Sequence, residues 1–178
     1  MFYHAQRRAG LPPTEGAYLG HILEAVAVDG QPVESDWPYL TCIPDNTDDY
    51  GPPAGLRVYR RGNELVGIGV DEIVRSLDAG VPSLIVMMLS DSFYLPSADG
   101  VVICTPGEKP DRLRLHAVVA VAHGSVAEER AILIRNSWGD DWGVSGYAWI
   151  PESFLTPRLQ ALALLTEDVD VSGADLAA

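Results

Sequence analysis

At 178 residues, 47% of them hydrophobic, the chain is long enough to bury one core of its own or two half-sized lobes sharing an interface. Its 12 basic residues against 25 acidic ones leave a formal charge of −13 and a pI near 4.5, which argues against nucleic-acid phosphates or anionic lipid as partners. The N-terminal MFYHAQRRAGLPP lacks an apolar stretch of signal-peptide length, and nowhere do about 18 apolar residues run together, so neither secretion nor a membrane span is expected and the location expected is cytoplasmic.

In chain order, Ala17, Tyr18, Ile22, Leu23, Val26 and Ala27 fall at helical spacing, which predicts a helix over 14–28 with Thr14 as N-cap and Gly30 as the stop. Residues 41–56, TCIPDNTDDYGPPAGL, cluster Pro, Gly, Asp and Asn and read as a loop between lobes. Short strands are expected over 57–60 and 64–69. A helix is expected over 70–79, with Asp71 and Glu72 in its first turn and Gly80 just past its end. Beyond Pro82, the runs 83–89, 101–104, 115–122, 131–135, 147–150 and 159–165 are short, apolar and separated by turn signals, which suggests an antiparallel sheet or barrel. The last stretch, TEDVDVSGADLAA, is acidic and rich in small residues and is expected to fray. The resulting division is 1–56, 57–166 and a tail, 167–178.

The two cysteines, Cys42 and Cys104, could make at most one disulfide and read as reduced, buried small hydrophobes. Neither position advertises the helix N-terminus or neighbouring cation that a reactive thiol needs. The four histidines, His4, His21, His116 and His123, show no metal-site spacing, so no metal and no cofactor are expected.

One segment names a chemistry. Asn136 to Tyr147 reads NSWGDDWGVSGY, and 20 residues upstream of Asn136 stands His116 at the head of HAVVAVAHG. The pattern N-S-W-G-x-x-W-G-x-x-G-Y resembles the asparagine segment of papain-like cysteine peptidases; its eight fixed positions would coincide by chance less than roughly once in a billion starts at average residue usage. LHAVVAVAHG resembles the strand that carries that family's histidine. EAVAVDGQPVESDWPY and VDEIVRSLDAGVPSLIVMML resemble its helix end before a Y-P-Y turn and its later helix, turn and strand, so the likeness covers nearly the whole chain to about Leu165.

The resemblance implies an α+β, papain-like fold: an incomplete helical left lobe and a right lobe built on an antiparallel sheet or barrel. It implies His116 as base and then general acid, Asn136 as the amide that orients it, and Trp138 as the shield of their hydrogen bond. Gly139, Gly143 and Gly146 would let the chain turn around two indoles that a Cβ would obstruct. Ala117 and Val86 align with the main side-chain specificity pocket, and Gly16 falls near the strip that pairs with substrate backbone.

The departure from the family is as informative. Its members carry a Q-x-x-C-G-S-C-W type segment on the first long helix, whose glutamine builds the oxyanion hole and whose second cysteine attacks, and nothing here resembles it. MFYHAQRR looks like the stretch that follows that helix in bacterial members, so the chain reads as starting just downstream of it. This chain alone is therefore expected to be inactive. Three readings follow: a cysteine-peptidase portion whose nucleophile comes from a missing segment or a partner chain, an inactive pseudopeptidase that binds a peptide or protein, and an acyl-transfer relative such as a peptide ligase. The first two predict a partner chain or a second copy over the uncovered apolar surface, and neither needs nucleic acid or membrane.

Overall fold

The computed structural model describes residues 2–12, 16–38, 40, 42 and 50–170, the last four as backbone alone. Contacts divide the chain into two units, one made of residues up to Asn63 together with those from Thr166 on, the other of Glu64–Leu165.

The smaller unit begins with α1 (Phe2–Ala9) and α2 (Leu19–Val28), which pack on each other and bury Ala5, Leu23, Ala25 and Val26. Helix α1 has no counterpart among the expected elements. Eight residues are too few to stand as a helix alone, and it is held from outside its own sequence: Gln6 is buried and donates its amide to Pro12 O (3.0 Å), and Gly10, at φ 66°, turns the chain away. Arg8 then ties the pair, with Nε and Nη2 donating to Asp29 Oδ2 (2.9 and 2.7 Å) and Nη1 to Glu24 (3.0 Å). Helix α2 is shorter than its apolar spacing suggests, because Gly16 to Tyr18 are not helical; the expected cap Thr14 lies outside the described residues. Its end falls where expected, with Asp29 and Gly30 both donating to Ala25 O and Gly30 at φ 75°. Strand β1 (Gln31–Pro32) pairs antiparallel with β2 (Val58–Leu65). The two strands expected over 57–60 and 64–69 are this one strand, ending at Leu65. Gly62 does not turn the chain but makes room, since a Cβ there would lie 2.5 Å from Thr166 Oγ1. Of the expected 41–56 loop, 41 and 43–49 are outside the described residues, and 51–56 hold no helix or strand.

The larger unit is an antiparallel sheet in the order β7-β3-β4-β5-β6, formed by β3 (Ser83–Leu89), β4 (Asp111–Val126), β5 (Glu129–Arg135), β6 (Tyr147–Pro151) and β7 (Leu159–Asp170). Helix α3 (Val70–Asp78) ends at Gly80 as predicted and lays Val70 and Ile73 on the sheet. Ile85, Met87, Val118, Ala120, Ile132, Ile134, Ala148 and Ile150 share its core with Phe154 and Leu155 of α5 (Glu152–Leu155). Each of these buried side chains larger than alanine is worth about 1.5–3 kcal/mol. Two expectations fail here. Residues 101–104 form no strand, only a single bridge from Val101 to Trp149, and β7 continues to Asp170 through the first residues assigned to the frayed tail. The one-turn helices α4 (Asp91–Tyr94) and α5 are too short for periodicity to reveal.

Candidate active site

His116 lies on β4 opposite Met87 of β3, and Asn136 is the first residue after β5. The antiparallel β4–β5 ladder brings the two side chains together, His116 Nε2 standing 2.7 Å from Asn136 Oδ1. The roles in this hydrogen bond follow from a second contact. Ser137 N–H, which can only donate, reaches the same Asn136 atom at 2.8 Å, so that atom is the amide oxygen, and His116 Nε2 must carry the proton. In the neutral imidazole the lone pair therefore sits on Nδ1. The backbone fixes the amide in turn, since Asn136 N–H donates to Gly146 O (2.9 Å) and closes 136–146 into a loop.

Aromatic rings cover this pair. The Trp138 ring lies 4.6 Å from the imidazole and tilted 32° to it, and Tyr94 stacks on Trp138 at 5.3 Å and 11°. Phe93, wholly buried, sets its edge to His116 (5.9 Å) and Trp138 (5.5 Å) and lies 5.1 Å from Trp142, whose indole N–H donates to Phe93 O (3.1 Å). Trp138 is 39% exposed while Asn136 is 8% exposed, so the indole takes the solvent in place of the amide, and the hydrogen bond beneath works in a drier, stronger field. The glycines serve a different end from the one expected. At Gly143, φ 60°, a Cβ would strike the carbonyl of Tyr147, and at Gly146 the nearest atom would be Gly139 O. A Cβ at Gly139, φ 86°, would meet nothing, so backbone angle and backbone approach require these residues and the indoles do not.

Ala117 and Val86 face each other across β4 and β3 on the outward side of the sheet, Ala117 exposed and Val86 half-buried. Leu115 (59% exposed) stands two residues before Ala117, and Leu113 (94%) is exposed in the stretch where the β3–β4 register shifts. Gly16 is exposed, non-helical backbone in the smaller unit. Both cysteines are free and exposed, which corrects their expected burial. Cys104 also has the cation that the sequence did not advertise: Arg158, 54 residues on and only 2% exposed, brings Nη2 within 3.8 Å of its Sγ, with Glu108 Oε2 at 3.9 Å from the same sulfur. The rings around His116 are those of Phe93 and Trp138, and its hydrogen-bond partner is Asn136.

His123 pairs with Asp78 (2.8 Å), and His4 lies 3.5 Å from Asp29 with its pKa lowered, chiefly by burial. Among the described residues no three His, Cys, Asp or Glu side chains gather as a metal would need. Phe93, Tyr94, Glu108 and Arg158 were missed by sequence reasoning; the only hint was an aromatic doublet closely following β3.

The model of the papain family of cysteine proteases matches residues 41–155. Cathepsin K of Gallus gallus is 29% identical over 143 residues, covering 74% of this chain and 39% of its own; papaya proteinase 4 of Carica papaya is 28% identical over 134 residues, covering 73% and 36%. The chain thus spans well under half the length of these relatives. Among solved structures, xylellain, a cysteine protease from Xylella fastidiosa, superposes with a TM-score of 0.65 at 22% identity, over 92% of this chain and 67% of that one. Procathepsin B S9 from Trypanosoma congolense does so at 0.68 and 19%, over 94% and 59%. These likenesses carry the papain-like α+β fold.

Proposed function

The chain belongs to the papain family of cysteine proteases, and from that premise we propose that it supplies the base-carrying part of a peptidase site, peptide-bond hydrolysis requiring a cysteine from another segment or a partner chain. The observation that supports this reading is the His116–Asn136–Trp138 arrangement: a 2.7 Å hydrogen bond that fixes the tautomer, leaves Nδ1 with its lone pair, and lies beneath an indole. A buried scaffold needs no such tautomeric control.

The chemistry follows from that nitrogen. Nδ1 takes the thiol proton, and the resulting imidazolium stabilises the thiolate by charge. The thiolate attacks the peptide carbonyl, and Nδ1–H then protonates the leaving amine. Water, deprotonated by the regenerated Nδ1, attacks the thioester and releases the acid and the thiol. Asn136 holds the ring through both transfers. Ala117 and Val86 would line the pocket for a substrate side chain, and Gly16 would contact its backbone.

A second reading, an inactive peptide- or protein-binding module, is favoured by the apolar residues Leu113, Leu115 and Ala117 left open on β4. Both readings call for a partner chain or a second copy over apolar surface of the helical lobe that is left uncovered, and two free exposed thiols suit a reducing, cytoplasmic setting. Intact mass spectrometry of the protein from its native source, before and after an electrophile selective for activated thiolates, separates them. One label on a longer chain or on a co-purifying partner supports the peptidase; an unlabelled 19.2 kDa chain with no thiolate-bearing companion supports the binder and overturns the first reading.

A further inference from the structure

Helix α4 is a single turn, DSFY, yet it delivers Phe93 and Tyr94 to the rings over the His116–Asn136 pair. A turn of four residues does not hold itself, and its N-cap residue, Ser90, makes no side-chain capping bond because its hydroxyl accepts from Arg158 Nε (3.1 Å) and Nη2 (2.9 Å). The cap comes instead from a loop. Glu108 Oε1 accepts the Ser92 backbone N–H (2.8 Å), Oε2 accepts the Ser92 hydroxyl, and Oε2 also accepts Thr105 N–H (3.0 Å). Thr105 N–H and Oγ1 reach the same Ser92 hydroxyl at 3.2 and 3.1 Å, so the carboxylate closes a small polar knot between loop and helix.

We propose that Glu108 is a positioning residue for the His116–Asn136 pair, capping α4 from outside so that Phe93 and Tyr94 hold Trp138 over their hydrogen bond. The proposal rests on the reading of His116 as the base, but it concerns a property the chain has without any partner. When the knot opens, α4 loosens, the indole lifts, and water reaches Nε2–H.

The test is ¹⁵N NMR of the His116 ring, following Nε2–H exchange with water in the wild-type chain, Glu108→Gln and Ser92→Ala, with the His123 ring as internal control. Exchange reports local opening, and the expected result is exchange faster by about tenfold in Glu108→Gln and about threefold in Ser92→Ala, with His123 unchanged. Ser92→Ala keeps the charge of Glu108, so a change confined to Glu108→Gln would mean a field effect at a distance and overturn the proposal. Wild-type exchange in both variants alongside a lower melting temperature would reduce the knot to a fold contact and overturn it equally. If Glu108→Gln does not fold, Ser92→Ala decides, unchanged exchange rejecting the proposal. A native protein that never takes up a thiol label would refute the peptidase reading and leave this result standing.

Discussion

His116 and Cys104 belong to the same unit and carry the two side-chain types a thiol peptidase combines, but their surroundings differ in kind. The imidazole has an amide that fixes its tautomer, an indole over the bond, and a buried phenyl edge that locates the indole. The thiol is exposed, with a guanidinium at 3.8 Å and a carboxylate at 3.9 Å whose charges oppose each other at the sulfur. Positioned neighbours mark a functional group more reliably than the presence of the group. By that standard His116 is the better-positioned group of the two, which supports the proposal that the unit carries a base and Cys104 is not its nucleophile.

Exchanging the two residues' fates would break the comparison most directly. On the proposed peptidase reading, His116→Ala in a complex with a thiol-bearing segment is expected to lower kcat/KM on the order of 10³-fold or more, the upper part of the range for losing an acid–base group, while Cys104→Ser stays within about twofold. Loss of turnover in Cys104→Ser with survival in His116→Ala would invert the assignment. Next in size is Phe93→Ala, expected to cost about 3–5 kcal/mol in urea unfolding because it empties a wholly buried ring site. Cys104→Ala, at an exposed position, should stay within about 0.5 kcal/mol. Equal costs would mean that the histidine corner is no better packed than the thiol corner. Asn136→Ala comes third, at about a hundredfold in kcat/KM for a misoriented base, with the ¹⁵N spectrum showing the Nδ1–H tautomer appear. An unchanged tautomer ratio would show that the ring is oriented by the aromatic stack alone.

What could be read beforehand follows the range of the interactions. Helix α3 and strands β3 and β5 were legible because spacing and Gly80 are local signals, and His116, Asn136 and Trp138 were legible because a dense twelve-residue motif points to them. Helix α1 was not, since its stability depends on Arg8 meeting Asp29, 21 positions on. The shift of the strand end from Gly69 to Leu65, the helical turn at 91–94 and the cation beside Cys104 share that cause: Val66 N–H is taken by Leu162 O, Ser92 is capped by Glu108, and Arg158 is 54 residues from the thiol. Gly143 was rightly singled out for the wrong obstacle, because a carbonyl four residues away leaves no mark in the sequence pattern.

Glu108 touches both corners, so it gives the finest test of their difference. Burial disfavours its charge, but hydrogen bonds from Ser92, Ser90 and Thr105 outweigh this and bring its pKa down from 4.5 to about 2. The unfolded chain therefore takes up this proton at a higher pH than the folded one does. The stability that the carboxylate contributes is complete above about pH 4.5 and is lost as pH falls toward 2. Cys104 Sγ lies 3.9 Å from Glu108 Oε2, and Arg158 Nη2 reaches the same sulfur at 3.8 Å. The melting temperature of the wild-type chain should exceed that of Glu108→Gln by a constant margin from pH 7 to about 5, and the margin should shrink steadily below that. If the carboxylate also holds α4 under the indole, His116 Nε2–H exchange, measured as its ratio to that of His123, should quicken over the same interval in the wild type and stay flat in Glu108→Gln. A margin that does not change between pH 5 and 3 would show that the knot draws nothing from the charge, and a flat exchange ratio beside a shrinking margin would confine Glu108 to the thiol's side of the unit.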